Sequence, residues 1–328
     1  MAKKEPQSCI TTPYKTTCGG QALIEGIMMQ GPDRRAVVVR KPDGELDVTT
    51  WEVESRKSIW RLPFLRGLKT FCSSMYHGIK ALMYSADVSG EMEVEDEELT
   101  GLDKWINDHF SDEKASALII GIAAVLGVAF SIGLFILLPT AVTGLIGLVW
   151  KTMPLWFRSV LEGIIKVAIF MGYLFLCSRM KEIHRVFEYH GAEHKCINCI
   201  EHGLPLTVDN VRISSRQHKR CGTSFLFFVL AISIILLMLI QVESPLMRVI
   251  VRIALIPVIA GISYEVLKLA GRSENPIINL LSRPGLAIQK LTTKEPDDSM
   301  IEVAIQAVEA VFDWRAYEAE NFKTAEDL

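Results

Sequence analysis

The sequence has almost no net charge, with 35 Lys and Arg against 38 Asp and Glu, a balance of −3 at neutral pH. That lack removes any general electrostatic pull toward nucleic acid, and no nucleic-acid partner is expected. A disulfide framework is missing too: the seven cysteines are odd in number and follow no paired spacing, so they read as reduced thiols or metal ligands. The stretch from Met1 to Lys15 is polar and proline-containing, without the apolar core of an export signal, so membrane entry is expected from internal segments. Charge is scarce overall, at 22%, whereas half of the residues are hydrophobic and the mean hydropathy is +0.27. Soluble domains of this length rarely have that balance.

What is present is a set of four long apolar runs, Ala115 to Leu138, Ser159 to Cys177, Thr223 to Val242 and Met247 to Ala270. Each approaches or exceeds the roughly 20 residues that cross a bilayer core as a helix. The first and third carry no charge and no polar stripe to turn toward water. The fold class expected is therefore a polytopic α-helical membrane protein of four spans, with a small α+β region before them and amphipathic helices at the membrane surface. The connection between the second and third spans, residues 179–222, holds Arg179, Lys181, Arg185, Lys195, Arg212, Arg216, Lys219 and Arg220. By the positive-inside rule that loop is cytoplasmic in an inner membrane, and four spans then put both termini on the same side. Within the spans, Glu162 can pair with Lys166 four residues on, or with Arg252 at similar depth in the fourth span; helix packing is the expected role, a transport pathway the alternative.

The residues before the spans, 1–110, divide into three. Residues 19–54 alternate apolar and polar positions around turns at Gly31-Pro32-Asp33 and Pro42-Asp43-Gly44, which predicts a small antiparallel sheet. Glu25, flanked by glycines, is a candidate site carboxylate or a strand-end residue. Residues 62–85 form an amphipathic helix with Leu65, Leu68, Cys72, Met75, Ile79 and Leu82 on one face, which suits the bilayer interface, with packing against the other cytoplasmic elements as the alternative. The acidic run 91–98 is expected to be a solvated linker. In the segment 271–328, residues 276–291 are apolar with a break expected at Pro284-Gly285, and Ile301 to Trp314 is an amphipathic helix before a polar tail.

The chemistry concentrates in the cytoplasmic loop. His190-Gly191-Ala192-Glu193-His194 has the H-x-x-E-H spacing of inverted zinc proteases. On a helix, positions i and i+4 share a face, so two imidazoles can hold one zinc while the intervening glutamate acts as base. Gly191 weakens the helix this needs. Five of the seven histidines, His184, His190, His194, His202 and His218, fall in this loop, together with Cys196, Cys199, Glu201 and Cys221. Cys199, His218 and Cys221 with one motif histidine would make a closed structural site; His190 and His194 with a carboxylate such as Glu201 would leave an open catalytic one. Glu265, near the cytoplasmic end of the fourth span, is the intramembrane carboxylate placed to face the loop.

The runs Gly19-Gly20-Gln21-Ala22 with Glu25-Gly26, Tyr189 to Lys195, Ile197-Asn198-Cys199 with Glu201, Leu206-Thr207-Val208 with Asn210-Val211, Arg220 to Phe225, and Leu291 to Pro296 resemble, in this order, the YqhQ family of bacterial membrane proteins, domain of unknown function 1385. The resemblance extends from about Gly19 to Val311. It implies a metal-dependent enzyme, and the family pattern falls on His190, Glu193, His194, Cys199, Glu201, His218, Cys221 and Glu265, leaving Cys196 outside it. Two functions follow as expectations. One is a zinc-dependent, hydrolase-type protein acting at the cytoplasmic membrane face on a lipid or membrane-protein substrate, with Glu193 as base and His190, His194, Cys199, Glu201, His218 and Cys221 as ligand candidates. The other is a non-enzymatic scaffold or assembly factor for membrane proteins, forming a homo-oligomer. A transporter is disfavoured, because four spans without an inverted repeat give little basis for alternating access.

Overall fold

In the computed structural model the described residues are 15–53, 62–90, 112–240, 242 and 244–322. The acidic run 91–98 and the tail beyond residue 322 lie outside them. The chain forms two compact units, each described by itself: residues 1–92, 174–232 and 257–328 in the first, and 93–173 and 233–256 in the second.

The first unit starts with the expected antiparallel meander, β1 (Gly19–Leu23), β2 (Gly26–Gln30), β3 (Arg34–Arg40) and β4 (Leu46–Glu52), in sequential order. The β1–β2 turn places Glu25 at φ +47°, and Gly44 takes φ +88° in the β3–β4 turn. Both faces of the central strands β2 and β3 are covered. Ile27, Met29, Ala36 and Val38 point into the main core with residues of α5 (Lys181–Glu201) and α10 (Asp298–Glu309). Leu23, Met28, Val37 and Val39 point the other way, onto Ala81 of α1 (Leu65–Val88). Period-two alternation thus supplies two apolar surfaces from one set of strands, each fully buried side chain worth about 1.5–3 kcal/mol.

Helix α1 turns its small residues inward and its large ones out. Gly67, Gly78, Ala81 and Ser85 are buried, whereas Met75, Ile79 and Leu82, all on the expected apolar stripe, are exposed, as are Phe71 and Met83. A water-facing helix shows the reverse arrangement.

Among the described residues, four helices are long and apolar enough to cross a membrane, within Gly121–Val149, Leu155–Cys177, Gly222–Leu239 and Leu246–Arg272. The first differs from expectation. Instead of ending at Leu138 it runs on from α2 (Asp112–Ile132) through a π turn (Gly133–Leu137) into α3 (Leu138–Val149). The apolar composition continues past Pro139, and the wider π turn lies where this proline would otherwise clash with the carbonyl four residues before it. The others are α4 (Leu155–Cys177), α7 (Gly222–Leu239) and α8 (Pro245–Arg272). Inside the second unit Glu162 pairs with Arg252, not with Lys166 as a helical neighbour; Arg252 Nη2 donates to Glu162 Oε2 at 2.7 Å, and Thr140 Oγ1 donates to Glu162 Oε1 at 3.0 Å. The pair ties three helical segments together, as a buried charge without a partner would be costly.

The basic loop of the sequence is mostly helix: α5, then α6 (Val208–Ile213) and the irregular segment 214–221. Helix α9 (Pro276–Thr292) continues straight through Pro284-Gly285, correcting the break expected there. Its Ile277, Leu280 and Leu281 are exposed, while its C-terminal half is buried through Leu286, Gln289 and Thr292. Helix α11 (Trp314–Asn321) is the last element of the described residues.

Candidate metal centre

From Ala192 to Glu201 every residue of α5 is buried, although Glu193, His194, Lys195, Asn198 and Glu201 are polar. Each must find partners inside the protein. Most are carbonyls of the segment that follows α6. Lys195 Nζ donates to Arg212 O at 2.8 Å and Ser214 O at 3.0 Å. Asn198 Nδ2 donates to Ser215 O at 2.6 Å and Gln217 O at 2.9 Å. From the other side, Gln289 of α9 accepts from His218 N and donates to His218 O, both at 2.8 Å. The segment that delivers His218 and Cys221 is thereby fastened between α5 and α9.

Held this way, His190, His194 and Cys221 offer ligand atoms that all lie within 4.8 Å of one another. The Nδ1–H of His190 donates to Thr292 O at 2.8 Å, and that of His194 to Arg216 O at 2.7 Å. With Nδ1 occupied, each ring presents Nε2 as its free donor, the orientation that metal-ligating histidines are given by a backbone carbonyl. His190 Nε2 lies 3.2 Å from Cys221 Sγ, close to the roughly 3.5 Å between donors on a tetrahedral zinc with bonds of about 2.1 and 2.3 Å. The donor set, two imidazoles and a thiolate, is one that zinc takes with a fourth position left for water or substrate. These residues fit a zinc-like ion.

The electrostatics agree with the geometry. Burial opposes ionisation of Cys221, but the charges and hydrogen bonds of His190 and His194 outweigh it and hold the thiol well below its ordinary range. Burial likewise disfavours the His190 imidazolium, yet the neighbouring Cys221, then Glu193, and the Thr292 carbonyl raise it to about 9. Both shifts favour the thiolate beside a protonated ring, and a cation can take the place of that proton.

Glu193 lies beside them. Burial pushes its carboxyl up, against the pull of His194 and His190. Its Oε1 accepts from Gly20 N at 2.9 Å, and its Oε2 is buried with no hydrogen-bond partner. Gly20 is required for that approach, since a Cβ there would meet the Met28 carbonyl oxygen at 2.6 Å and the Glu193 carboxyl carbon at 3.1 Å.

The other sequence candidates stand elsewhere. Cys199 does not join the cluster. Nine residues after His190, it emerges about 180° around the helix, donates to Leu204 O at 3.4 Å, and has its thiol pushed up to about 12 by burial. Glu201 shares the face of His190 but lies about 16 Å further along the axis. It accepts from Thr16 N at 2.8 Å and Thr16 Oγ1 at 3.0 Å, and pairs with Arg220 and with His218 Nε2, the latter at 3.4 Å. His218 therefore bridges Glu201 and His194, its ring centroid 5.7 Å from that of His194, without joining the three-donor group. Glu25 forms an ion pair with Arg185 and accepts from Tyr189 Oη at 3.2 Å. Glu265 pairs with Arg66 of α1 rather than facing the histidines, and accepts from Phe64 N at 3.2 Å. Sequence reasoning missed Thr292, Gln289, Asn198 and Gly20 as parts of the site. Gly20, Asn198 and Thr292 do fall in runs shared with the family pattern, which was the available signal.

The Glu201 network has a pH signature. Burial raises this carboxyl, but His218, Arg220 and the Thr16 amide lower it further, to about 2 from an ordinary 4.5. A depressed folded-state value contributes stability above the unfolded value and loses it as pH falls through the folded one. Between pH 4.5 and 2 the protein should lose roughly 3 kcal/mol from this group. Thermal unfolding of Glu201→Gln across that range should show a correspondingly shallower acid dependence, from a lower starting stability.

Comparison with known proteins agrees with the pattern. A family model described as "Protein of unknown function (DUF1385)" matches residues 62–314, which include all three donors and Glu193. The chain is 35% identical over 318 residues, covering 94% of it and 96% of the relative, to a protein of Bacillus subtilis (strain 168) named "Uncharacterized protein YqhQ". No solved structure matches. The chain belongs to the YqhQ family, DUF1385.

Proposed function

We propose that the chain is a multi-pass inner-membrane metalloprotein with both termini cytoplasmic, in which His190, His194 and Cys221 hold a zinc-like ion and Glu193 serves as general base of a hydrolase-type reaction. The observation that carries this reading is the meeting of three ligand atoms within 4.8 Å beside a buried carboxylate with one unpartnered oxygen. A zinc ion in such a site supplies Lewis acidity and a nucleophile at neutral pH. The chain's own groups do the rest. Glu193, raised by burial toward the working pH, can take and return a proton. Thr292 and Arg216 hold the two imidazoles in the ligating tautomer. The four apolar helices and the outward apolar face of α1 support a place at the membrane surface, so the substrate class is a lipid or a membrane protein.

Glu193→Gln tests the assignment. With zinc-loaded protein assayed on ester and peptide bonds presented in vesicles, turnover should fall by at least about 100-fold, with metal content unchanged. If neither protein turns over any such bond, the scaffold reading takes its place. What favours that alternative is the share of the loop's polar residues, Lys195, Asn198, Glu201 and His218, committed to internal bonds. A homo-oligomer, or a complex with other membrane proteins, would then be the working form, to be read from the mass of the protein in detergent.

A further inference from the structure

A cavity lies on the opposite face of the sheet. Beyond the apolar patch around Met28 and Val37, the sheet and α1 separate enough to leave a cavity of about 580 Å³, within the range of small-ligand sites. Its floor is Gln30, Arg35, Trp51 and Glu52, and one face of α1 forms its wall, including Ser73, His77 and Lys80. The polar stripe of this amphipathic helix thus lines an open recess beside the sheet, with Lys80 and Ser74 accessible from outside, while its apolar stripe faces away from it.

The lining is strongly biased in charge. Arg35, Arg66, Lys69 and Lys80 contribute four cations, against Glu52 as the one carboxylate. Arg66 is already paired with Glu265. Arg35 is half-buried, and its Nε and Nη2 both donate to Gln30 Oε1, at 3.2 and 2.6 Å, a neutral acceptor that leaves the charge uncompensated. Among the described residues no carboxylate forms an ion pair with Arg35 or Lys80. Burial, together with the charges of Arg35 and Lys80, pushes the His77 imidazole below its ordinary range, as expected where positive charge is concentrated. Cations gathered around a recess with hydroxyl donors are the chemistry of phosphate recognition, and arginine in particular matches its oxygens in pairs.

We propose that this cavity binds a phosphate-bearing anion through Arg35 and Lys80, with the Ser73 and Ser74 hydroxyls as further donors. An anionic phospholipid headgroup is the source that the surroundings favour. Met75, Ile79, Leu82 and Met83 project from the same helix away from the cavity, so a helix seated in the bilayer interface would bring its polar face to headgroup depth. A soluble phosphate ester would offer the same charge without the acyl chains. The site is independent of the metal centre and stands whether or not that centre is catalytic.

Native mass spectrometry of the full chain in detergent, with phosphatidylglycerol, phosphatidate or phosphatidylcholine added, reads the proposal directly. Calorimetric titration with glycerol 3-phosphate tests the soluble source. Phosphatidylglycerol and phosphatidate should bind at least 10-fold more tightly than phosphatidylcholine, and the preference should disappear in Arg35→Gln/Lys80→Gln. His77→Glu, which adds a negative charge to the wall while leaving both cations in place, should abolish it as well. Each variant is first checked for unchanged thermal unfolding, and either one that passes is sufficient. Glycerol 3-phosphate binding that is lost in the same variants would support the site with a soluble ligand. Equal binding of all three lipids with no glycerol 3-phosphate binding, or an anion preference that survives in a folded variant, would overturn it.

Discussion

Replacing His194 with alanine should weaken zinc or cobalt(II) binding by at least about 100-fold, more than the 10- to 100-fold that loss of a supporting residue costs. His190→Ala should do the same, and Cys221→Ser should in addition erase the near-ultraviolet thiolate-to-cobalt charge-transfer band. The three donors come from two parts of the chain, and their ligand atoms lie within 4.8 Å of one another. Removing one leaves two, too few to keep an ion from water. Cys199→Ser provides the contrast, because its thiol is hydrogen-bonded to Leu204 O on the far side of the helix; metal affinity should stay within a few-fold of the parent. Competition titration against a chromophoric chelator measures all four. Equal losses in Cys199→Ser and Cys221→Ser would mean that another set of residues binds the metal.

Gly191→Ala should destabilise the protein by more than about 4 kcal/mol, beyond the usual 1–3 kcal/mol of overpacking. A Cβ at this position would lie 1.9 Å from the Lys294 carbonyl oxygen, a backbone atom that cannot rotate away. Lys294 is also bound to the helix, its N–H donating to Phe187 O at 2.8 Å. Helix propensity alone argues the reverse, since alanine favours a helix interior by about 1 kcal/mol over glycine. The sign of the measured change therefore decides between propensity and close packing. Forcing the segments apart also moves Thr292, whose carbonyl orients His190, so metal binding should fall together with the melting temperature. A stabilised Gly191→Ala protein would show that α5 does not pack on residues 292–296 this way.

The glycine illustrates what was legible and what was not. The H-x-x-E-H spacing announces a helix with two imidazoles on one face, and α5 carries it. In sequence Gly191 reads as a weakness of that helix, because the residue that needs its missing side chain, Lys294, is about a hundred positions away. Four apolar runs were readable from composition alone, though the first was cut short at Pro139, where a π turn lets the helix continue. Among the further ligand candidates, helix geometry could have set Cys199 aside once α5 was known to extend to Glu201. It could not choose between His218 and Cys221, which share one irregular segment three residues apart. That choice depends on the grip of Gln289 and Asn198 on the backbone there, a long-range arrangement with no local pattern. The inward polar face of α1 was hidden for a similar reason, since periodicity identifies an apolar stripe but not the side on which the protein lies.

Zinc X-ray absorption on the purified, zinc-loaded protein tests the centre most directly. One sulfur at about 2.3 Å and two imidazole nitrogens at about 2.0–2.1 Å are expected, with the sulfur shell absent in Cys221→Ser. A shell of oxygen only, or a sulfur that persists in Cys221→Ser, would contradict a metal centre built from His190, His194 and Cys221.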